Sequence, residues 1–374
     1  MEQQAKYPEA EAAWKKVVKL QPANGKAYAH LGLIEARQDQ YPEAISHYRK
    51  ARALDPAIPQ LSLNLGLALF KSGNFRDAAN IFEAELQRRP NPPDAQRLTL
   101  LAGMARYGAR EYGPAIPYLK EAAAADQQNL PLRMTLAHCY IWTKQWDAAM
   151  SVYKEILTIN PDSAEADMIA GEALDGEGDG EGAVQQFRAA VKANPKEPNV
   201  HFVLGYLLWT RKQFDEAIAE FHAELANDPD NNQAMLYLGD IYVRLGQFDT
   251  AKGILTKAAK YPTTDPLIHL DMGIVYMETD DQNDAVRELK KAIEMEPDNV
   301  NAHFRLAKMY LSMGKKDEAK TEFALAKTLT IKMNQDLFKK IKEGNARPDA
   351  GGQAVQPQTP DAAVKPDQPS AVPE

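Results

Sequence analysis

The chain has 374 residues, with 44 basic side chains against 52 acidic ones, a net charge of −8 and one cysteine. No stretch approaches the roughly 18 apolar residues of a membrane helix, a single Cys139 excludes an intrachain disulfide, and the acidic balance has the wrong sign for a nucleic-acid surface. The sequence holds no phosphate-binding loop, no nucleophile elbow and no paired-cysteine zinc spacing, so neither catalysis nor a cofactor is expected.

In chain order, residues 1–24 read as the second helix of a hairpin that lacks its first: Tyr7-Pro8-Glu9-Ala10, then Trp14, then Pro22. The chain as given is therefore expected to begin inside a longer gene product, or at a poorly chosen start. The sequence leaves the compartment open: a soluble, cytoplasmic protein is expected by default, and an exported one if a signal peptide lies upstream of Met1.

Ala10 opens a series continued by Ala44, Ala78, Ala115, Ala149, Ala183, Ala217, Ala251, Ala285 and Ala319. Each step is 34 residues except Ala78 to Ala115, which is 37, and such a period marks stacked repeats. Twelve residues before most of these alanines stands a small residue, such as Gly66, Gly171 or Gly239. Four residues after them stands a large one, such as Tyr48, Phe82 or Phe187. Prolines at 22, 56, 90, 161, 195, 229 and 297 close most units, because proline cannot continue a helix. Within residues 25–58, Tyr28, Leu31 and Ile34 mark one amphipathic helix, and Ala44, Ile45, Tyr48 and Ala51 a second. Neither buries its stripe alone, so neighbours must stack.

Nine full units are expected over 25–333: 25–58, 59–92, 96–129, 130–163, 164–197, 198–231, 232–265, 266–299 and 300–333, with three extra residues near 91–95. A polar capping helix, 327–344, overlaps the last unit, and the six prolines of 345–374 mark a disordered tail.

The pattern resembles the tetratricopeptide repeat. Residues 232–265 carry it in Met235, Leu238, Gly239, Tyr242, Phe248, Ala251, Leu255 and Ala258. The aromatic usual at repeat position 17 is lost at Gly180, Gln282 and Lys316. The resemblance implies an all-α, right-handed superhelical solenoid of stacked helix–turn–helix repeats. It also implies that repeat positions 2, 5, 9 and 12 of the first helices line a concave groove.

On that register the candidate binding residues are Leu63, Leu67, Phe70, Leu100, Met104, Tyr107, Met134, His138 and Ile141, then Glu165, Met168, Glu172 and Asp175, then Phe202, Tyr206 and Trp209. The wall is apolar and rich in methionine, with an acidic step near its centre. Such linings suit adaptable peptide recognition. From Glu155 to Phe187 there are nine acidic residues and no Lys or Arg, and without them the chain holds 43 acids against 44 bases. The expected partner is therefore a protein or peptide segment with apolar and basic residues. Some relatives clasp a terminal carboxylate with a Lys at position 5 and an Asn at position 9, a pair that no repeat has here. The alternative is the non-catalytic portion of a larger enzyme or membrane-anchored complex.

Three further features have plainer readings. Cys139 sits at an inward position and is expected to be buried and inert. His201, His269 and His303 share repeat position 4, where packing is expected rather than a metal cluster. The run from Asp175 to Gly180 imitates the start of a calcium loop, but its register is that of a hairpin turn and position twelve is Gln186 instead of the bidentate Glu.

Overall fold

The computed structural model describes residues 7–88, 94–261 and 265–342, with side chains described through Lys339. The insertion expected near 91–95 lies mostly, and the tail 345–374 wholly, outside the described residues.

Among the described residues the regular structure is helical throughout. In order the helices are α1 Tyr7–Leu20, α2 Gly25–Ala36, α3 Tyr41–Leu54, α4 Leu61–Lys71, α5 Phe75–Arg88, α6 Ala95–Gly108, α7 Tyr112–Ala125, α8 Leu130–Trp142, α9 Trp146–Ile159 and α10 Ala164–Glu177. There follow α11 Gly180–Ala193, α12 Val200–Thr210, α13 Phe214–Asn227, α14 Asn232–Arg244, α15 Phe248–Ala258, α16 Leu267–Glu278, α17 Gln282–Met295, α18 Val300–Ser312 and α19 Lys316–Lys342. The chain forms two compact units, Met1–Leu204 and Gly205–Glu374, with the division inside α12.

In the first unit α1 packs on α2, and the hairpins α2/α3, α4/α5, α6/α7, α8/α9 and α10/α11 stack in sequence order. In the second unit α13 packs on α14, and the hairpins α14/α15, α16/α17 and α18/α19 stack the same way. First helices also touch first helices, α8 on α10 in one unit and α14 on α16 in the other. The second helix of the last hairpin and the expected capping helix are one continuous element, α19, because no proline or glycine interrupts Lys316–Lys342.

The small residue at repeat position 8 and the large one at position 24 set the width of each hairpin. A Cβ on Gly66 would lie 2.4 Å from the Phe82 ring, one on Gly171 2.5 Å from Phe187, and one on Gly239 2.4 Å from Leu255. No carbon tolerates such distances, so the two backbones approach only because glycine stands there. The rings that fill the space are shut off from water: Tyr48 is 1% exposed and Phe82 and Phe221 are 0%.

Each turn between the two helices of a hairpin passes through one residue in the left-handed conformation, always at repeat position 15. Four are glycines, Gly73, Gly178, Gly246 and Gly314. Five are not: Asp39, Arg110, Lys144, Lys212 and Asp280, with φ between +58° and +60°. First helices are started by side-chain caps, since Asn24, Asn129, Ser163, Asn231 and Asn299 each accept from the backbone N–H three residues on.

Candidate functional site

In the first unit the wall is built by α4, α6, α8 and α10. Leu63, Leu67, Phe70, Leu100, Met104, Tyr107, Ile141 and Met168 are half-buried, packed on the core with one side open. Met134 and Phe202, expected to line the groove, are instead buried. Aromatic contacts stiffen the edge of the wall: Phe70 meets Phe75 edge-on at 5.2 Å, and Tyr112 stands between Tyr107 at 5.8 Å and Trp142 at 5.4 Å.

The acidic step lies on α10. Glu165 and Asp175 are exposed, and Glu172 is half-buried. Burial, and then the charge of Asp175, push the Glu172 carboxyl up to about 7. Across the stack on α8, burial lowers the His138 imidazole, so it favours the neutral form.

The run that imitates a calcium loop is the turn between α10 and α11. Gly178 holds φ +91°, and Asp179 caps α11 by accepting from the Gly182 N–H at 2.9 Å. Cys139 is fully buried on α8, and burial pushes its thiol up to about 12.

Two of the three position-4 histidines cross their own hairpins. His269 Nδ1 lies 2.7 Å from Glu288, and His303 Nδ1 lies 2.6 Å from Glu322, each pair 19 residues apart. These pairs tie first helix to second and do not converge.

In the second unit a separate set of side chains includes residues not expected from the sequence. Tyr206 and Trp209 are half-buried and meet Tyr237 of α14 at 5.0 and 4.8 Å. Trp209 Nε1 donates to Asp240 at 2.5 Å, and Arg244 Nε donates to the same oxygen at 2.6 Å. The Arg244 guanidinium lies 5.7 Å over the indole. On α16, Asp271 is 2% exposed and feels the charges of Asp240, Arg244, Asp265 and Arg305. Tyr237, Asp271 and Arg305 all stand at repeat position 6, outside the register 2, 5, 9 and 12, so that register passed over them.

Helical hairpins that stack in sequence order within each unit define a helical-repeat interaction scaffold. The chain belongs to the tetratricopeptide repeat family. Two models described as tetratricopeptide repeat match residues 107–172 and 276–327, and 63–129 and 202–263, and a TPR repeat model matches 32–73. Together they span 32–172, 202–263 and 276–327.

Similar solved structures are found at low identity. A tetratricopeptide repeat protein from Parabacteroides merdae is 18% identical, covering 67% of this chain and 97% of its own, with a TM-score of 0.49. MamA is 22% identical over 44% of this chain and 96% of its own, with a TM-score of 0.40. YrrB, described as a TPR protein with an unusual peptide-binding site, is 18% identical over 52% of this chain and 98% of its own, with a TM-score of 0.43. A search of curated proteins found no match.

Proposed function

We propose that the first-helix wall binds an extended or helical segment of another protein, one that carries apolar side chains beside Lys or Arg. The observation behind this reading is the row of half-buried apolar side chains from Leu63 to Met168 that ends against Glu172 and Asp175. Half-buried methionine, leucine and tyrosine side chains gain by further burial, and Met adapts its shape to a ligand. The carboxylates favour a basic neighbour and mainly govern on-rate and salt response.

The test is selection from a displayed random-peptide library on the intact chain. Enriched peptides are expected to lose binding at least tenfold to Ile141→Glu and to Met104→Glu. They are expected to bind Glu121→Lys, altered at an exposed site on second helix α7, as they bind the parent. An empty selection overturns the reading. So do peptides that are indifferent to both wall substitutions.

A further inference from the structure

One buried carboxyl oxygen in the second unit has no donor among the described residues. Asp271 is 2% exposed, and no hydrogen bond reaches its Oδ2 among the described residues. A buried carboxyl without a donor is a strongly unfavourable group, and native structures rarely keep one without reason. Around it the ionised groups are unbalanced: the charges of Asp240 and Asp265 join that of Asp271, against Arg244 and Arg305. Burial first, and then the Asp240 charge, hold the Asp271 carboxyl well above the ordinary carboxylate range. An added cation would relieve both penalties.

The geometry also indicates where a cation enters. Asp240 is 2% exposed and is held by Trp209 on one side and Arg244 on the other. Arg244 itself is 47% exposed and reaches the carboxylate by lying across the indole face. A planar guanidinium that arrives from solvent therefore already lies between an aromatic face and the Asp240 carboxylate, and it feels the charge of Asp271. That combination suits Arg, and next Lys, better than a hydrated metal ion.

We propose that Trp209, Asp240 and Asp271 form a subsite for one cationic side chain of a bound segment, and that Arg244 fills the place until the segment arrives. The inference rests on the peptide-binding reading above and adds a subsite outside the wall named there. Stacking on the indole sets the plane of the incoming group, and the two carboxylates take its N–H donors. Arg244 then swings to solvent, where nearly half of it already lies.

The test uses the intact, ¹⁵N-labelled chain and arginamide, with citrulline amide as the neutral isostere. The Trp209 indole N–H resonance, assigned through Trp209→Phe, reports directly on Asp240. Arginamide is expected to shift it saturably and citrulline amide is not. Asp271→Asn, which keeps the shape of the side chain, is expected to weaken arginamide at least tenfold. Arg244→Ala, an exposed change, is expected to tighten it about threefold by removing the internal competitor. Equal shifts from both amides overturn the subsite. Unchanged binding by Asp271→Asn does so too, and weaker binding by Arg244→Ala shows that Arg244 is part of the site instead of its placeholder. Library peptides that bind Asp271→Asn as tightly as the parent would sink the subsite and leave the groove reading standing. An empty library with a saturable arginamide shift would do the reverse.

Discussion

Lys144 and Lys212 offer a direct test of how the hairpin turns are held. Both stand at repeat position 15 with φ near +58° and +59°, and both side chains are exposed. For an L-residue the left-handed region is unfavourable by roughly 1–2 kcal/mol. Glycine removes that strain, but its freer unfolded chain offsets about 0.5–1 kcal/mol of the gain. Each Lys→Gly change should therefore stabilise by about 0.5–1 kcal/mol net, with no packing lost. The sites lie 68 residues apart in different units, so their effects should add. The assay is urea denaturation of Lys144→Gly, Lys212→Gly and the double variant, followed by circular dichroism, with Lys144→Ala as control. Alanine removes the charge and keeps the strain, so its midpoint should stay at or below that of the parent. Gly246→Ala, which puts a Cβ at φ +71°, should lower the midpoint. If Lys144→Gly and Lys144→Ala behave alike, the turn strain is not what limits stability and the reasoning fails.

Three further outcomes follow from other contacts. Arg106 on α6 donates to Glu83 at 2.5 and 2.7 Å and to Glu111 at 2.5 Å, and Glu111 keeps Arg76 as a second partner, so Arg106→Gln should cost about 2 kcal/mol mainly by removing the cation beside the partly buried Glu83, as read from the denaturation midpoint. Because the Glu172 carboxyl is raised in the folded chain, its burial lowers stability as pH rises from the unfolded value through about 7; Glu172→Gln should stabilise at pH 8 and be neutral at pH 4 in thermal melts. Cys139, fully buried with its thiol pushed up to about 12, should react with a thiol reagent at pH 8 only as fast as its region opens, and a rate equal to that of a free thiol would refute its inertness.

The period, the two helices per unit and the closing prolines were legible because they rest on spacing, and spacing survives without coordinates. The left-handed position 15 was legible only at its glycines. Asp39, Arg110, Lys144, Lys212 and Asp280 look like ordinary polar turn residues, and stacking of the hairpins overrides their preference. The candidate wall of the first unit is a proposal drawn from register. The second-unit ladder did not come from register, because Tyr237 and Asp271 occupy a position taken to face elsewhere, and because a buried acid is a contact between helices that no single helix announces. The same holds for His269 with Glu288 and His303 with Glu322, whose shared interval of 19 residues carries meaning only once the hairpin is closed.

The joints between hairpins carry information that the hairpins themselves do not. A Cβ on Gly108 would fall 2.8 Å from the Phe75 ring of the hairpin before it, and one on Gly176 would fall 2.6 Å from Trp146. At the corresponding place α8 has Trp142, which lies flat against Tyr112 at 5.4 Å. Each unit thus ends in a shape that only certain successors accept. Exchanging the units built on α6 and α8 would set Trp142 where Phe75 requires a bare backbone. The units share one plan, yet they are not interchangeable parts. Their order is encoded at the seams, and a shuffled array of the same nine pieces would have to be recut there before it could stack.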